Sequence, residues 1–250
     1  VADANNVAVG YNAGLNLTSG TDSVYVGYQA GGVGVITGDY NVCIGKSAGA
    51  NGVGFSSSVF IGHNAGGTGA LAGAANVAVG DGAGTDLVAG YNNVLIGGDA
   101  GANLTDNNDN IAIGKSALDA ANTGEHQNIA IGTNTLGAET SGADGCVAIG
   151  HHALLYQNRN DSANTAIGYL ALGNLGNGVS YGGQRNTALG YNASGSGVCG
   201  GSGSTDGDDN VIIGHKAGYA ITTGSDNTIM GSYAGEDITA GNGNVMVGYN

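Results

Sequence analysis

An all-β fold, a solenoid of stacked coils, follows from three features of the 250-residue chain. The first is a phrase, Asn-Val-x-Ile-Gly, that recurs fourteen times. Its glycines are Gly10, Gly27, Gly45, Gly62, Gly80, Gly97, Gly114, Gly132, Gly150, Gly168, Gly190, Gly214, Gly231 and Gly248. Successive glycines lie 17 or 18 residues apart, except for 22 before Gly190 and 24 before Gly214. So short and sustained a period marks a solenoid, because one such repeat cannot bury its apolar face without neighbours. The second feature is a pair of β-branched residues two apart in nearly every phrase, which is strand chemistry. The third is glycine, 52 residues in all, together with 41% hydrophobic residues that keep register with the phrase. Collagen is excluded, since no strict glycine triplet occurs and proline is absent. Disorder is excluded by the registered apolar content.

Each repeat divides into slots counted from its glycine. Four residues before it, eleven of the fourteen copies carry Asn, with Ser23, Ser58 and Cys146 as exceptions. Asn tolerates left-handed backbone, bonds its own backbone at turns, and can form amide ladders along a stack. The flank slots, three before and one before the glycine, hold Val, Ile or Thr, with Leu189 and Met230 in two copies. Pairs such as Val7 and Val9, Val42 and Ile44, or Ile129 and Ile131 are expected to point inward and stack. The glycine ends the strand at a corner where a Cβ would be penalised. Ala follows three residues later in twelve of thirteen complete copies, with Thr135 the exception, and marks a tight inner corner. The looser segment after it, as at 15–20, is expected to hold a second short strand and a turn.

Between the two flanks lies the centre slot. Its occupants are Ala8, Tyr25, Cys43, Phe60, Ala78, Leu95, Ala112, Ala130, Ala148, Ala166, Ala188, Ile212, Ile229 and Met246. With the flanks inward, this slot faces outward, and none of its residues is charged. Solvent-facing strand positions are ordinarily mixed polar, and an exposed apolar stripe invites aggregation. The centre slot is therefore expected to form an interface between symmetric copies of the chain.

Charge and cysteine restrict the partners. The net charge is −14, with only five Lys plus Arg. No positive footprint exists for nucleic acid or for an anionic membrane surface. No apolar run approaches the roughly 20 residues of a membrane span, and no secretory leader opens the sequence. The abrupt ends suggest a segment of a longer protein. Three cysteines, Cys43, Cys146 and Cys199, form neither a disulfide framework nor a zinc motif. Cys43 and Cys146 read as packed small hydrophobes.

Asn164–Tyr169 (Asn-Thr-Ala-Ile-Gly-Tyr) and Asn128–Gly132 (Asn-Ile-Ala-Ile-Gly) resemble the head repeat of trimeric autotransporter adhesins. They are equally similar to repeats of trimeric bacteriophage tail-fibre proteins. The resemblance extends over essentially the whole chain. It implies a left-handed parallel β-roll of about fourteen 17–18-residue coils, residues 1–250 forming a single repeat domain, assembled as a homotrimer. It also implies an extracellular segment, on a cell surface or a virion tail fibre, that attaches to a host or cell-surface glycan or protein. No direct membrane insertion, nucleic acid partner or cofactor is expected. The adhesin head repeat is shorter than 17–18 residues, so the turns here must be longer. Stalk, anchor and chaperone parts of such families are missing from the segment. A hexapeptide β-helix of the acyltransferase type fits less well, because the second and third hexapeptides of each repeat lack the apolar lead residue.

Sites are sparse. The slot after the glycine carries Tyr11, Tyr28, Tyr169, Tyr191 and Tyr249, with His63, His151 and His215 in other copies. Such a file can meet sugars. Two insertions, 173–185 and 194–209, account for the long intervals and emerge as loops, often the binding face of a solenoid. The first contributes Tyr181 and Arg185 to the candidate ligand surface. Asp206, Asp208 and Asp209 are weak calcium candidates by their oxygen chemistry, although no calcium-loop motif accompanies them. No nucleophile elbow or His-Glu-x-x-His motif is present, and the chain is read as non-catalytic, a binding segment or a purely structural shaft. Ice binding would need a rank of Thr. Thr18, Thr105, Thr140, Thr222 and Thr239 share a slot that other coils interrupt.

Overall fold

A computed structural model describes residues 5–67, 71–120, 124–138, 143–156, 163–173, 183–195 and 207–250. These form a parallel β-solenoid in two compact units, 1–123 and 124–250, with no helix among the described residues. The first unit contains β1 (Val7–Val9), β2 (Val24–Val26), β3 (Val42–Ile44), β4 (Val59–Ile61), β5 (Val77–Val79), β6 (Val94–Ile96) and β7 (Ile111–Ile113). The second contains β8 (Ile129–Ile131), β9 (Val147–Ile149), β10 (Thr165–Ile167), β11 (Thr187–Leu189), β12 (Val211–Ile213), β13 (Thr228–Met230) and β14 (Val245–Val247). Within each unit every strand pairs in parallel with the next, slot against slot, as in Val24↔Val42, Tyr25↔Cys43 and Val26↔Ile44. The same register holds across the long intervals, where Ala166 faces Ala188 and Ala188 faces Ile212.

The strands are turned over relative to the sequence-based expectation. The centre slot faces the core: Tyr25, Cys43, Phe60, Ala78, Leu95, Ala112, Ala130, Ala148, Ala166, Ala188, Ile212 and Ile229 are all buried within a single chain. At the termini Ala8 is exposed and Met246 half-buried, because each lies in an end coil. The flanks face out, and Ile44 remains 38% exposed and Leu189 44%. Assignment of the centre slot to a chain–chain interface is therefore corrected. A three-residue strand sends only its middle side chain into so narrow a coil. The inner volume is divided between that side chain and the residue four after the glycine. Where the centre is large (Tyr25, Phe60, Leu95, Ile212), the second position is Gly31, Gly66, Gly101 or Gly218. A Cβ on Gly31 would lie 2.4 Å from the Tyr25 ring, and one on Gly66 2.8 Å from the Phe60 ring. Where the centre is Ala112, Ala130, Ala148 or Ala166, the second position is Leu118, Leu136, Leu154 or Leu172, all buried. In these eight coils bulk is exchanged between the two positions, as close packing requires, whereas the coil of Ala78 and Gly84 is small at both. These leucines hold left-handed backbone, φ 48° to 54°, a strain of about 1 kcal/mol each that their burial, worth about 2 kcal/mol, outweighs.

The second short strand is also corrected. Among the described residues the only bridge outside the named strands joins Leu17 and Ile36. Elsewhere the rest of the coil is turn, bonded coil to coil, as where Gly31 N–H donates to Ala48 O and Gly49 N–H to Ala65 O, both at 2.9 Å. Turn geometry recurs with left-handed residues at fixed slots, among them Asn12, Asn64, Asn134 and Asn192 two after the glycine.

The asparagine ladder forms as expected. Asn210 Nδ2 donates to Asn186 Oδ1 (3.0 Å) and to Gly224 O (2.8 Å). Its Oδ1 accepts from Asn227 N (3.0 Å) and Asn227 Nδ2 (2.9 Å). Each amide thus closes a turn and splices two coils. Where Ser replaces Asn the splice is thinner: Ser23 Oγ accepts only the Asn41 N–H, at 2.9 Å. Asn210→Leu leaves several buried groups unpartnered and is expected to cost about 3 kcal/mol, and Asn210→Ser about half as much. Chemical denaturation checks both, with equal losses contradicting the ladder.

Candidate functional site

The corner file, one residue past each phrase glycine, is the most distinctive exposed feature. In the first unit it is mixed. Tyr11 and Tyr28 stack at 5.3 Å with planes 14° apart. Lys46 follows, then His63 Nδ1 at 2.8 Å from Asp81 Oδ1, then Gly98 and Lys115. In the second unit, aromatic rings run through four consecutive coils. His151 and Tyr169 stack at 5.2 Å and 7°, Tyr169 and Tyr191 at 5.2 Å and 7°, and Tyr191 and His215 at 5.3 Å and 19°. Tyr233, in the neighbouring slot, meets His215 edge-on at 4.8 Å and Tyr249 at 6.0 Å. Lys216 Nζ lies 5.2 Å from the centre of the Tyr219 ring and 5.7 Å from that of Tyr233, within cation–π range.

Parallel in-register strands explain the stacking. Equivalent slots on successive coils are separated by one strand spacing, about 4.8 Å, which is close to the contact distance of offset aromatic rings. The rings remain open to solvent at their edges, with Tyr169 43% and Tyr191 47% exposed. Their faces are spent on one another. A sugar therefore cannot stack face-on within the file, as sequence reading alone would allow; edges, phenol hydroxyls and imidazole nitrogens are what it presents.

His151 also stacks on His152, with centroids 3.8 Å apart. His152 Nε2 lies 3.0 Å from Asn134 Nδ2, so an amide N–H donates to an unprotonated ring nitrogen. Partial burial, and then the neighbouring His151, hold the His152 pKa below its ordinary value. A histidine with a depressed folded pKa contributes stability in full above its unfolded value, about 6.5. That contribution is lost as pH falls from there through the folded pKa. Thermal melts are expected to decline below about pH 6.5 more steeply for the parent than for His152→Gln; parallel declines would contradict this.

Other candidates resolve differently. Tyr181 and Asp206 lie outside the described residues, as do most of both insertions, Cys199 and Thr140. Arg185 is engaged by the carboxylates: Nε donates to Asp209 Oδ1 (2.7 Å), Nη2 to Asp209 Oδ2 (2.8 Å), and Nη2 sits 3.6 Å from Asp208 Oδ2. The Arg185 hydrogen bonds hold Asp209 below the usual carboxylate range. Asp208 Oδ1 also accepts the Gln184 N–H at 2.8 Å. These two weak calcium candidates thus staple one loop to the next through a guanidinium. Among the described residues no group of three or more His, Cys, Asp or Glu is arranged to hold a metal ion. Cys43 and Cys146 are buried thiols outside any disulfide, and burial pushes the Cys43 thiol far above its ordinary value. The Thr slot spends hydroxyls on the backbone: Thr18 Oγ1 donates to Ile36 O (3.2 Å) and Thr222 Oγ1 to Thr239 O (2.6 Å).

Sequence reasoning missed the outward flank face. Its twenty-eight residues are Val, Ile, Leu, Met or Thr, and none is charged. The signal was present, since three consecutive apolar residues are the mark of a strand buried on both faces. Among the described residues no helix is long and apolar enough to cross a membrane. No family model, no curated protein and no solved structure matches the chain.

Proposed function

We propose that the chain is a segment of an extracellular fibre, a homotrimeric left-handed β-roll, that attaches to a host or cell surface without catalysis. The carrying observation is the outward flank face. A file two residues wide, with Ile44, Ile96, Leu189, Val211 and Met230 exposed, is far more apolar than a solvated strand face. Left bare, it is an adhesive surface of the kind that marks an interface. Self-association through it by rotational symmetry covers the same face on every copy. The number three, the handedness and the extracellular setting come from the resemblance of the repeat phrase to adhesin heads and phage fibres. An acidic exterior, net charge −14, keeps such fibres apart in solution.

Sedimentation velocity at micromolar concentration tests the assembly. The expected species has three times the 24.1 kDa of one chain, and a stable monomer overturns the reading. Attachment of the labelled chain to a panel of bacterial and animal cell surfaces tests the role. Assembly without attachment to any surface would favour a purely structural shaft.

A further inference from the structure

The ring file of the second unit has a fixed step, and the step selects a ligand. His151, Tyr169, Tyr191 and His215 succeed one another at 5.2, 5.2 and 5.3 Å. Because ring faces are occupied by neighbours, the file offers one hydrogen-bonding edge per coil in a straight row. A linear ligand can use several rungs only if its own repeat matches the step. An extended peptide advances about 3.3 Å per residue, and a nucleic acid strand in a duplex about 3.4 Å per phosphate, so neither places one unit on every rung; each meets the row only at alternate rungs. A pyranose ring, measured between linked oxygens at its 1 and 4 positions, is about as long as the coil step when both linkages are equatorial. Net charge of −14 sets the ligand's charge, since a polyanion would be repelled along its whole length.

We propose that His151, Tyr169, Tyr191 and His215 bind an uncharged, equatorially 1,4-linked polysaccharide lying along the coil stack, one sugar per ring. This rests on the reading of the chain as a surface-attachment segment and specifies its ligand class. Phenol hydroxyls of Tyr169 and Tyr191 exchange hydrogen bonds with sugar hydroxyls, and the imidazoles do so at either end. Each rung is weak; four in register on one rigid row supply the hold, as linked sites do. The first unit offers only the Tyr11–Tyr28 pair before Lys46 and the His63–Asp81 contact interrupt the row, so it is the poorer site.

Titration calorimetry of the whole chain with β-1,4-linked glucose and N-acetylglucosamine oligomers of increasing length tests this. Affinity is expected to rise with length to four sugars and then flatten. Tyr169→Phe/Tyr191→Phe keeps the ring stack and removes only the hydroxyls, and is expected to weaken tetramer binding about tenfold, the effect of two lost neutral hydrogen bonds. Maltohexaose, whose linkage bends the chain, is expected not to bind. Length-independent binding, equal binding of maltohexaose, no binding of any oligomer, or an unaffected double variant overturns the proposal. The cell-surface assay separates the two readings. Wild-type attachment undiminished in Tyr169→Ala/Tyr191→Ala sinks the ladder and leaves the attachment reading standing. Failure of the wild type to attach to any surface sinks the attachment reading itself.

Discussion

Gly150→Ala is expected to destabilise the second unit by more than about 4 kcal/mol. Two independent costs coincide at this residue. Its φ is +130°, a conformation that L side chains rarely adopt. An added Cβ would also lie 2.5 Å from Gly168 O and 2.7 Å from Gly168 C. Both are backbone atoms on the next coil, so no side chain can turn aside to make room. The phrase glycines stand over one another at nearly every step, Gly10 over Gly27 and Gly27 over Gly45 with the same 2.5 Å approach. Coil spacing is therefore fixed by carbonyls sitting where side chains would be. A solenoid transmits such a defect to its neighbours, because each coil is stabilised chiefly by the coils on either side. Far-UV circular dichroism with urea denaturation checks the effect. A control exists at Gly145, where a Cβ would meet nothing within 4 Å. Gly145→Ala carries only the cost of its left-handed φ of 64°, about 1 kcal/mol. Similar losses for the two variants would show that backbone conformation, not coil contact, governs the phrase glycine.

The period and the parallel strands were legible because the phrase repeats fourteen times, and the asparagine splice because eleven of those copies carry Asn; each rests on local chemistry. The facing of the strands was misread for a physical reason. Alternation in a three-residue strand gives only two choices, and propensity favours neither, since Val and Ile suit an exposed strand as well as a buried one. What decides is volume, and its record lies six residues away. Phe60 is followed by Gly66 and Ala148 by Leu154, an exchange of bulk between two slots that makes sense only if both look into one cavity. That covariation was written in the sequence. The stacking of Tyr169 on Tyr191 was partly legible: the shared slot was visible, but the loss of ring faces to one another required the coil step. The Arg185–Asp209 staple crosses an interval of 24 residues whose length gives no hint of the pairing.

Ala130→Asp and Ile131→Asp alter adjacent residues of β8 and are expected to fail in opposite ways. Ala130 is fully buried, and it shares its coil with buried Leu136 across the narrow interior. A carboxylate there is desolvated without a partner. The expected cost is about 4 kcal/mol, through an unpaired buried charge and overfilled volume. The unit is therefore expected to lose its fold, with assembly lost only as a consequence. Ile131 points the other way, on the half-exposed flank face. In a single chain its replacement by Asp costs about 1 kcal/mol or less, because the carboxylate keeps its water. Covered by symmetric copies, the same carboxylate meets its own equivalents in an apolar setting, where like charges at close range repel strongly. Ile131→Asp is thus expected to leave the circular dichroism spectrum intact and convert the assembly to folded monomers. Sedimentation and spectroscopy together separate the cases. A folded, still-assembled Ile131→Asp would mean that the flank face meets solvent, and the proposed contact between copies would have to be abandoned. A folded Ala130→Asp would mean that the centre slot does not line the core, and the orientation of every strand would be in question.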